Sequence, residues 1–320
     1  MPTAQRVFHN NDVWNVRANW PSLKPQLQKQ LRRGQYRFDA LDEIRLADGP
    51  RTIWKAQDAL VLKAMAMVLT ESLKPHLSKN CVHVKSHGGA KQAVRKIAQN
   101  LQPGQFVMRS DVKGYYASID HFILMQQFCD WVDDRSVRRL FWQYLKRVIT
   151  LGGTYRDVEK GISLGCPLSP LMGALYLSPM DKAVEKLGLF YVRYMDDWLI
   201  IAPTRWKLRK AVKIVNEMLA LLQVQQHPDK TFIGKAERGF DFLGYAFKPG
   251  TLSVAKATLE RARQKAHRLY EQGADVLSVG DYWRRFWRWV VSGLVGHLIS
   301  KILNDMAPHP TAHRSRTASP

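Results

Sequence analysis

The feature that most constrains this chain is the adjacent pair Asp196 and Asp197 within the apolar, aromatic stretch YVRYMDDWLI, residues 191–200. Neighbouring carboxylates repel each other, and removing even one from water is costly. The flanking runs are rich in β-branched and aromatic residues, so residues 189–203 are predicted to form a β-hairpin with the aspartates at its tip. Because aspartate is also a common turn residue, the pair alone does not indicate a function.

A second acidic position, Asp111, suggests that the pair takes part in metal binding. Asp111 follows a predicted short strand in FVMRSDVKGYYASID, residues 106–120. Two neighbouring strands that carry aspartates at their ends can place the carboxylates on one edge of a sheet. Hard divalent cations bind a few carboxylate oxygens, with substrate phosphates completing the shell. Two such ions activate an attacking 3′-oxygen and stabilise a leaving pyrophosphate, and their charge removes the repulsion between the carboxylates.

The overall charge points to a polyanionic partner. The 320 residues carry a formal net charge of +22, and the basic excess is spread along the chain rather than confined to a tail. A folded chain this basic most often binds nucleic acid, although a generally basic soluble protein is the alternative. The three cysteines are widely spaced and odd in number, so neither a zinc site nor a disulfide framework is expected. A reducing, cytoplasmic compartment is predicted.

No membrane association is expected from the sequence. The N-terminus, MPTAQRVFHNNDVW, lacks the apolar core of a signal peptide. The longest apolar stretch, residues 289–303, contains Ser292, His297 and Lys301 and is too short and polar to span a bilayer. Helices are predicted over 58–77, 86–101, 121–150 and 205–223. Residues 156–188 are predicted to form a loop and one long helix, short strands are predicted at 230–233 and 239–247, and helices are predicted from residue 251.

Five motifs in order resemble those of bacterial reverse transcriptases, the branch with group II intron, retron and diversity-generating retroelement enzymes. They are SDVKGYYASIDH (110–121), GISLGCPLSPLMGALYL (161–177), YMDD (194–197), HPDKTFI (227–233) and GFDFLGYAF (239–247). The resemblance covers roughly residues 50–250. It implies an α+β right-hand polymerase with an antiparallel-sheet palm and a helical thumb. The implied domains are an N-terminal extension with fingers (1–105), palm (106–250), thumb (251–307) and a disordered tail (308–320).

The resemblance also implies roles for the metal site. Asp111 and Asp196 would bind both metals, Asp197 would support or share one, and the backbone carbonyl of Val112 would reach a metal. The implied ions are two Mg²⁺ per site, with Mn²⁺ as a substitute. Tyr116 falls at the position where a bulky ring clashes with a 2′-hydroxyl and so selects deoxynucleotides; a core aromatic is the alternative.

Further residues are implied to contact the nucleotide and the primer. Lys230 lies where the family places a lysine near the triphosphate, as a general acid to the pyrophosphate or as a solvated side chain. Arg51 and Lys55 are candidates for clamping the triphosphate, with a surface role as the alternative. The primer-grip turn corresponds to Phe242, Leu243 and Gly244.

The second motif departs from the family at one position. Gly165 lies in the loop expected beneath the templating base pair, where many relatives have glutamine immediately before the glycine and this chain has Leu164. Loss of that amide removes a polar contact to the nascent pair, so the hypothesis is low fidelity or unusual templating. Diversity-generating enzymes also carry an aliphatic residue there, but they continue with Ser-Gln. Here Ser169 and Pro170 follow, as in group II enzymes.

The predicted function is RNA-directed DNA synthesis from a dedicated RNA, in a bacterial antiphage defence system. The alternatives are a diversity-generating or domesticated retroelement enzyme and a catalytically silent RNA-binding scaffold. An RNA-dependent RNA polymerase is disfavoured by Tyr116. No appended nuclease or DNA-binding segment is expected after the thumb, so the expected partners include an accessory protein or a second copy. The others are an RNA template, a DNA product and deoxynucleoside triphosphates.

The predicted thumb combines basic and aromatic residues, a composition that suits contact with the backbone and bases of a nucleic acid. Residues 257–272 supply a basic helical face, and residues 281–294 mix arginine with tryptophan. The alternative is that Trp283, Phe286 and Trp287 simply form core.

Overall fold

The computed structural model describes residues 12–46 and 49–294. The predicted disordered tail, 308–320, and the last part of the predicted thumb lie outside these residues. Helices and strands follow in this order: α1 (Trp20–Arg32), β1 (Leu41–Leu46), β2 (Gly49–Ile53), α2 (Ala56–Leu73), α3 (Gly89–Asn100), β3 (Phe106–Ser110), α4 (Tyr115–Ser118), α5 (His121–Cys129), α6 (Arg135–Leu145), β4 (Val148–Leu151), β5 (Thr154–Asp157), α7 (Ser169–Tyr176), α8 (Ser178–Glu185), β6 (Phe190–Tyr194), β7 (Asp197–Ala202), α9 (Arg205–Leu221), β8 (Phe232–Lys235), β9 (Phe240–Phe242), β10 (Tyr245–Lys248), β11 (Thr251–Val254), α10 (Lys256–Glu271) and α11 (Val276–Leu294).

The chain divides into two compact units. Within the described residues, the first comprises 12–46, 49–89 and 106–234, and the second comprises 90–105 and 235–294. This division concerns compactness alone, so the assignment of fingers, palm and thumb stays a prediction.

The sheet that carries both acidic motifs lies in the first unit. Its strand order is β6-β7-β3-β8, with β7 antiparallel to both β6 and β3. The predicted hairpin is confirmed, because β6 and β7 pair from Phe190 with Ile201 to Tyr194 with Asp197. Residues such as Val107, Leu199 and Ile200 are buried, and α9 packs against β3 and β7. Burial of these strands explains their near-continuous apolar sequence.

Helices α5 to α8 surround an aromatic core in the same unit. The rings of Phe128 and Phe141 stack with centroids 3.9 Å apart. The helical structure predicted over 121–150 is confirmed by α5 and α6 but was wrong for the last residues, which begin strand β4. Asp134 starts α6 because its side chain accepts a hydrogen bond from the Val137 N–H, which ends any continuous helix there. The single long helix predicted up to residue 188 was also wrong, since α7 and α8 are separated at Leu177, shortly before Pro179.

A second sheet of the first unit was not predicted. Its order is β2-β1-β4-β5, and β1 pairs antiparallel with β2 but parallel with β4. Strand β1, LDEIRL, contains three charged residues, which mask the alternation that identifies a strand. The pairing with β4 also joins residues about a hundred positions apart, which no local pattern reports.

The second unit combines α3, α10 and α11 with the sheet β11-β10-β9. The predicted strands in GFDFLGYAF are confirmed as the hairpin β9–β10. The prediction that everything after residue 251 is helical was wrong for β11, which pairs antiparallel with β10. The Tyr245 hydroxyl donates to the Trp289 carbonyl oxygen at 2.9 Å, and the Lys91 ammonium lies 3.6 Å from the Trp289 ring centroid. These contacts join the sheet to two helices of the unit.

Candidate active site

The strand register brings the two acidic motifs together. Ser110, the last residue of β3, pairs with Trp198. The next step of this antiparallel register places Asp111 opposite Asp197, while Asp196 occupies the adjoining two-residue turn. The three aspartates therefore share one edge of the sheet, as the sequence predicted. Asp111 is 5% exposed, and Asp196 and Asp197 are half-buried.

Burial and mutual repulsion raise the carboxyl pKa values of Asp196 and Asp197. Burial raises the pKa of Asp197 to about 6, and the charges of Asp196 and Asp111 act in the same direction. Burial is also the largest cause of the raised pKa of Asp196, with the Asp111 charge adding to it. The charged forms are therefore disfavoured until a positive group offsets them.

One positive group reaches the edge from the chain itself. The Lys230 ammonium donates to Asp111 Oδ2 at 2.7 Å, and this bond is the largest cause of the raised pKa of Lys230. The other oxygen, Asp111 Oδ1, is buried and has no hydrogen-bond partner among the residues that the structure describes. A buried bare carboxylate oxygen is unfavourable, so this atom indicates an additional ligand.

The donor set fits a hard divalent cation in its chemistry. Asp111, Asp196 and Asp197 supply carboxylate oxygens of the kind that Mg²⁺ prefers, and the bare Oδ1 atom of Asp111 is available. Within residues 12–46 and 49–294, however, no group of three or more His, Cys, Asp or Glu side chains is arranged to hold a metal ion. The positive group next to Asp111 Oδ2 in this structure is the ammonium of Lys230.

The turn between the two strands is strained and firmly held. Met195 has a φ of +58°, a conformation that is unusual for a residue other than glycine. The Met195 N–H donates to His83 Nδ1 at 2.9 Å, and its carbonyl oxygen accepts from Arg193 at 2.7 Å. These two bonds fix the peptide that connects the strands and thereby fix the direction of Asp196.

The two groups that hold the turn are themselves fixed. Burial lowers the pKa of His83 to about 4, which keeps Nδ1 unprotonated as an acceptor, and Nε2 lies 3.2 Å from the Pro170 carbonyl oxygen. The fully buried Arg193 pairs with the fully buried Asp181, whose Oδ1 also accepts from the Tyr191 hydroxyl at 2.7 Å. Both charges of this pair are satisfied, as burial requires.

A cleft of about 810 Å³ opens beside the aspartates. Its lining includes Tyr116, Leu164, Met195 and Asp196, which brings together the predicted sugar-selecting ring, the departure in the second motif and one of the aspartates predicted to bind metal. Leu164 is 69% exposed. Gly165 follows it with a φ of +81°, a conformation that favours glycine.

The adjacent tyrosines Tyr115 and Tyr116 have different environments. The Tyr115 hydroxyl donates to the Gly173 carbonyl oxygen at 2.5 Å, and its ring is buried. The Tyr116 hydroxyl instead lies 3.9 Å from the Met195 sulfur, and its ring lines the cleft. A Cβ atom on Gly173 would lie 3.1 Å from both rings, so glycine allows the two tyrosines to approach α7. Tyr116 is therefore available to a ligand, whereas Tyr115 is structural.

Three of the residues predicted to contact the nucleotide, Arg51, Lys55 and Val112, are close in sequence to residues that line the cleft but do not line it themselves. Thr52 lines the cleft, while neither Arg51 nor Lys55 is among its described lining residues. Arg51 is exposed on β2, and Lys55 forms an ion pair with Asp42. Val112 is buried and forms an isolated bridge with Gln226, which anchors the chain directly after Asp111. The roles assigned to Arg51, Lys55 and Val112 stay predictions.

The predicted primer grip is a tight turn in the second unit. Phe242 ends β9, and Leu243 and Gly244 have φ values of +49° and +85°. A Cβ atom on Gly244 would lie 2.7 Å from the Trp289 ring, so glycine is required for this packing as well as for the backbone angle. Its contact with a primer stays a prediction.

Sequence reasoning missed the residues that hold the turn, namely His83 and the Arg193–Asp181 pair. One signal was present, because an arginine inside the buried run YVRYMDD needs a buried acidic partner. No comparable signal identified His83, since its contact with Met195 spans 112 residues of sequence.

Comparison with known proteins identifies the family. Residues 50–247 match the family model described as reverse transcriptase (RNA-dependent DNA polymerase). This match covers more than half of the chain and includes every residue of the acidic edge, the cleft and the primer-grip turn. The chain belongs to the reverse transcriptase family.

Two proteins of bacteria are among the curated relatives. The group II intron-encoded protein LtrA of Lactococcus lactis subsp. cremoris is 22% identical over 169 residues, which is 53% of this chain and 28% of LtrA. Protein YkfC of Escherichia coli K12 is 21% identical over 236 residues, which is 61% of this chain and 62% of YkfC. The chain therefore spans about a quarter of LtrA and less than two thirds of YkfC.

Solved structures confirm the fold class. Apo telomerase from Candida tropicalis matches with a TM-score of 0.54 and 12% identity, over 76% of this chain and 53% of that one. Telomerase from Candida albicans with a fragment of telomeric RNA matches with a TM-score of 0.50 and 12% identity, over 78% of this chain and 48% of that one. The fold is that of a right-hand polymerase. Across the described residues, none of the helices has the length and apolarity needed to cross a membrane.

Proposed function

We propose that this protein is an RNA-directed DNA polymerase that extends a primer with deoxynucleotides on an RNA template. One observation carries the proposal: the register that sets Asp111 opposite Asp197 places three aspartates beside the cleft lined by Tyr116. An acidic edge next to a nucleotide-sized cleft, in a chain of net charge +22, suits a reaction on nucleic acid.

The metal-binding groups would be the carboxylates of Asp111, Asp196 and Asp197 with the carbonyl oxygen of Val112. The proposed ions are Mg²⁺, with Mn²⁺ as a substitute. When bound, such ions supply activation of the primer 3′-hydroxyl and stabilisation of the pyrophosphate. The Arg193 and His83 bonds to Met195 fix the hairpin tip in advance, so that Asp196 needs little rearrangement.

The other proposed site residues select and orient the nucleotide. The Tyr116 ring would lie beneath the sugar and exclude a 2′-hydroxyl. Lys230 has its ammonium at the acidic edge, where it would contact the triphosphate and donate a proton to the pyrophosphate oxygen. Arg51 on β2 and Lys55 immediately before α2 would clamp the triphosphate.

Leu164 is proposed to lower fidelity. Its side chain is exposed in the cleft and offers no hydrogen bond to the base pair. Gly165 would let the backbone approach the pair. Leu164→Gln should reduce misincorporation in a primer-extension assay. An error rate that the substitution leaves unchanged would remove the proposal.

The proposed partners are a dedicated RNA, the DNA product and deoxynucleoside triphosphates, together with an accessory protein or a second copy of the chain. The turn at Phe242, Leu243 and Gly244 would hold the primer, and fingers, palm and thumb would span 1–105, 106–250 and 251–307. The proposed compartment is the cytoplasm. Antiphage defence is the proposed setting, and a plaque assay with the intact locus and with Asp196→Ala would test it.

The ion pair between Lys230 and Asp111 favours a second candidate, an RNA-binding scaffold without chemistry. A lysine that neutralises a metal-site carboxylate makes the acidic edge tolerable without metal. Primer extension separates the two candidates.

The experiment measures extension of oligo(dT) on poly(rA) with dTTP and Mg²⁺, before and after chelation by EDTA. The wild-type protein should extend the primer, and the Asp196→Ala/Asp197→Ala variant should not. Asp241→Ala, which removes an exposed carboxylate of the second unit, is the matched control and should retain activity. A folded wild-type protein that binds the hybrid but extends nothing would favour the scaffold.

A further inference from the structure

The first two turns of α9 carry a basic surface on the side that faces solvent. Leu208, Ala211 and Val215 form the buried side of the helix. The exposed residues of the first two turns are Arg205, Trp206, Lys207, Arg209 and Lys210, which together form the α9 basic face. Four of these five residues are cationic, and the first turn contains no acidic residue.

This charge placement opposes the stability of the helix itself. The N-terminus of a helix is the positive end of its dipole, where acidic side chains stabilise and basic ones destabilise. Helix α9 starts at a cap in which the Thr204 side chain accepts from the Lys207 N–H at 3.3 Å, so the basic residues lie directly in the unfavourable turn. Binding of a polyanion to these basic residues would explain why they are present although they destabilise the helix.

Trp206 adds an aromatic platform to the α9 basic face. Its side chain is 76% exposed, more than that of any other tryptophan in the described part of the chain. The Arg209 guanidinium carbon lies 5.1 Å from the Trp206 ring centroid. A flat ring flanked by cations is the combination that stacks an unpaired base while contacting its phosphates.

The α9 basic face is remote from the acidic edge. Strand β7 runs from Asp197 to Ala202, and α9 begins three residues later. Five strand steps of about 3.3 Å each put Ala202, at the end of β7, about 17 Å from Asp197, and α9 starts beyond that end. Phosphates bound at this face therefore belong to nucleotides other than the one being copied.

We infer that the α9 basic face binds a structured RNA, with an unpaired base stacked on Trp206 and neighbouring phosphates on the four cations. The inference rests on the proposed function, which supplies an RNA partner for the first unit. RNA fits better than duplex DNA because unstacked bases in loops and bulges are what an exposed ring can stack on. A lipid surface fits less well, since the face offers a single large apolar side chain.

The test uses the full chain and a fluorescein-labelled RNA stem-loop with an unpaired loop, with affinity measured by anisotropy across a salt series. Trp206→Ala should weaken binding about tenfold, within the range for one stacked base, and Trp206→Phe should restore most of it. Replacing Arg205, Lys207, Arg209 and Lys210 with glutamine should lower the salt slope by about 3, as expected for four contacts to unpaired RNA.

The matched control removes the same charge from α1 and its C-terminal cap, through glutamine at Lys24, Lys29, Arg32 and Arg33. If both quadruple variants lose the same affinity for the stem-loop, the total charge of the protein explains the effect and the inference is overturned. If Trp206→Ala binds the stem-loop with wild-type affinity, the proposal that a base stacks on Trp206 is overturned. Binding of anionic phosphatidylserine vesicles that depends on the α9 basic face, with unchanged RNA affinity, would assign the face to a membrane and also overturn it.

Extension of oligo(dT) on poly(rA), run on the same samples, separates this inference from the proposed function. The α9 variants should extend the homopolymer at the wild-type rate, because none of the changed residues lies in the cleft. If the α9 variants extend the primer and also bind the stem-loop as tightly as the wild type, only the inference about the α9 basic face is refuted. Absence of extension in every form, wild type included, would refute the polymerase while leaving the stem-loop measurement valid.

Discussion

Asp181 and the aspartates of the acidic edge lie in the same unit but differ in how their carboxylates are satisfied. Asp181 is fully buried, and its carboxylate accepts from Arg193 Nε at 2.7 Å and from the Tyr191 hydroxyl. Asp111 has a buried oxygen without a partner, and Asp197 has its pKa raised to about 6 by burial and neighbouring charge. A satisfied buried acid supports the fold, whereas an unsatisfied cluster indicates a site that awaits a ligand.

The same contrast occurs in the neighbouring tyrosines. Tyr115 donates its hydroxyl proton to a backbone carbonyl, and Tyr116 leaves its hydroxyl in the cleft. Residue type alone does not separate Tyr116 from Tyr115 or Asp111 from Asp181, and it was the motifs that singled out Tyr116 and Asp111. The distinction comes from the partners that the fold supplies.

The largest expected effect on stability comes from breaking the buried network of Asp181, Arg193 and Tyr191. Asp181→Ala or Arg193→Ala should each reduce the free energy of unfolding by about 3–5 kcal/mol, because the remaining charge stays buried and unpaired. Urea denaturation followed by fluorescence measures this. The double variant Asp181→Leu/Arg193→Met should recover most of the loss. If the single variants stay within about 1 kcal/mol of the wild type, the network does not support the hairpin.

The second effect concerns the cleft tyrosine. Tyr116→Ala should lower the preference for dNTP over rNTP in kcat/KM by about ten- to a hundredfold, as expected from relieving a steric clash of about 1–3 kcal/mol. Single-nucleotide extension with each substrate measures the ratio. Tyr115→Phe should leave the ratio unchanged and reduce stability by about 1 kcal/mol through its lost hydrogen bond. Equal changes in discrimination for both variants would remove the contrast between the tyrosines.

The third effect concerns the strained turn. His83→Ala should lower kcat by up to about tenfold with little change in KM, because one hydrogen bond to the turn is lost while the cleft is intact. His83→Asn keeps an acceptor near the Met195 N–H and should recover part of kcat. A loss confined to stability, with kcat of the folded enzyme unchanged, would limit His83 to a structural role.

Much of the site was predictable because its signals are local. The apolar runs around Asp196 and Asp197, together with the strand that precedes Asp111, are sufficient to predict a hairpin and an acidic edge. The β1–β4 pairing, the break at Asp134 and the His83 bond were not predictable, because each depends on contacts or caps that compete with the local pattern. The turn at residues 242–244, predicted by its motif to grip the primer, has a backbone geometry that explains the glycine there.

The fourth and smallest effect is a gain of stability from Asp197→Asn. The native carboxyl pKa of about 6 lies above the ordinary value of 3.8, so the folded protein takes up a proton between these values that the unfolded chain does not hold. Stability from this group therefore falls as pH rises through that window. Asparagine escapes the loss and should stabilise the protein by about 1 kcal/mol at pH 7.5 but not below pH 4. Asp241→Asn, on an exposed strand position, should show no such difference.

The most direct measurement of the central claim is thermal unfolding with increasing Mn²⁺ or Mg²⁺, which requires no substrate. Because a cation that binds only the folded state stabilises it, the wild-type protein should gain about 1.4 kcal/mol at ten times the dissociation constant. Asp111→Asn and Asp196→Asn should lose this gain, and Asp241→Asn should keep it. Equal shifts in all four proteins, or no shift in the wild type, would contradict the claim that the unsatisfied aspartates form a metal site.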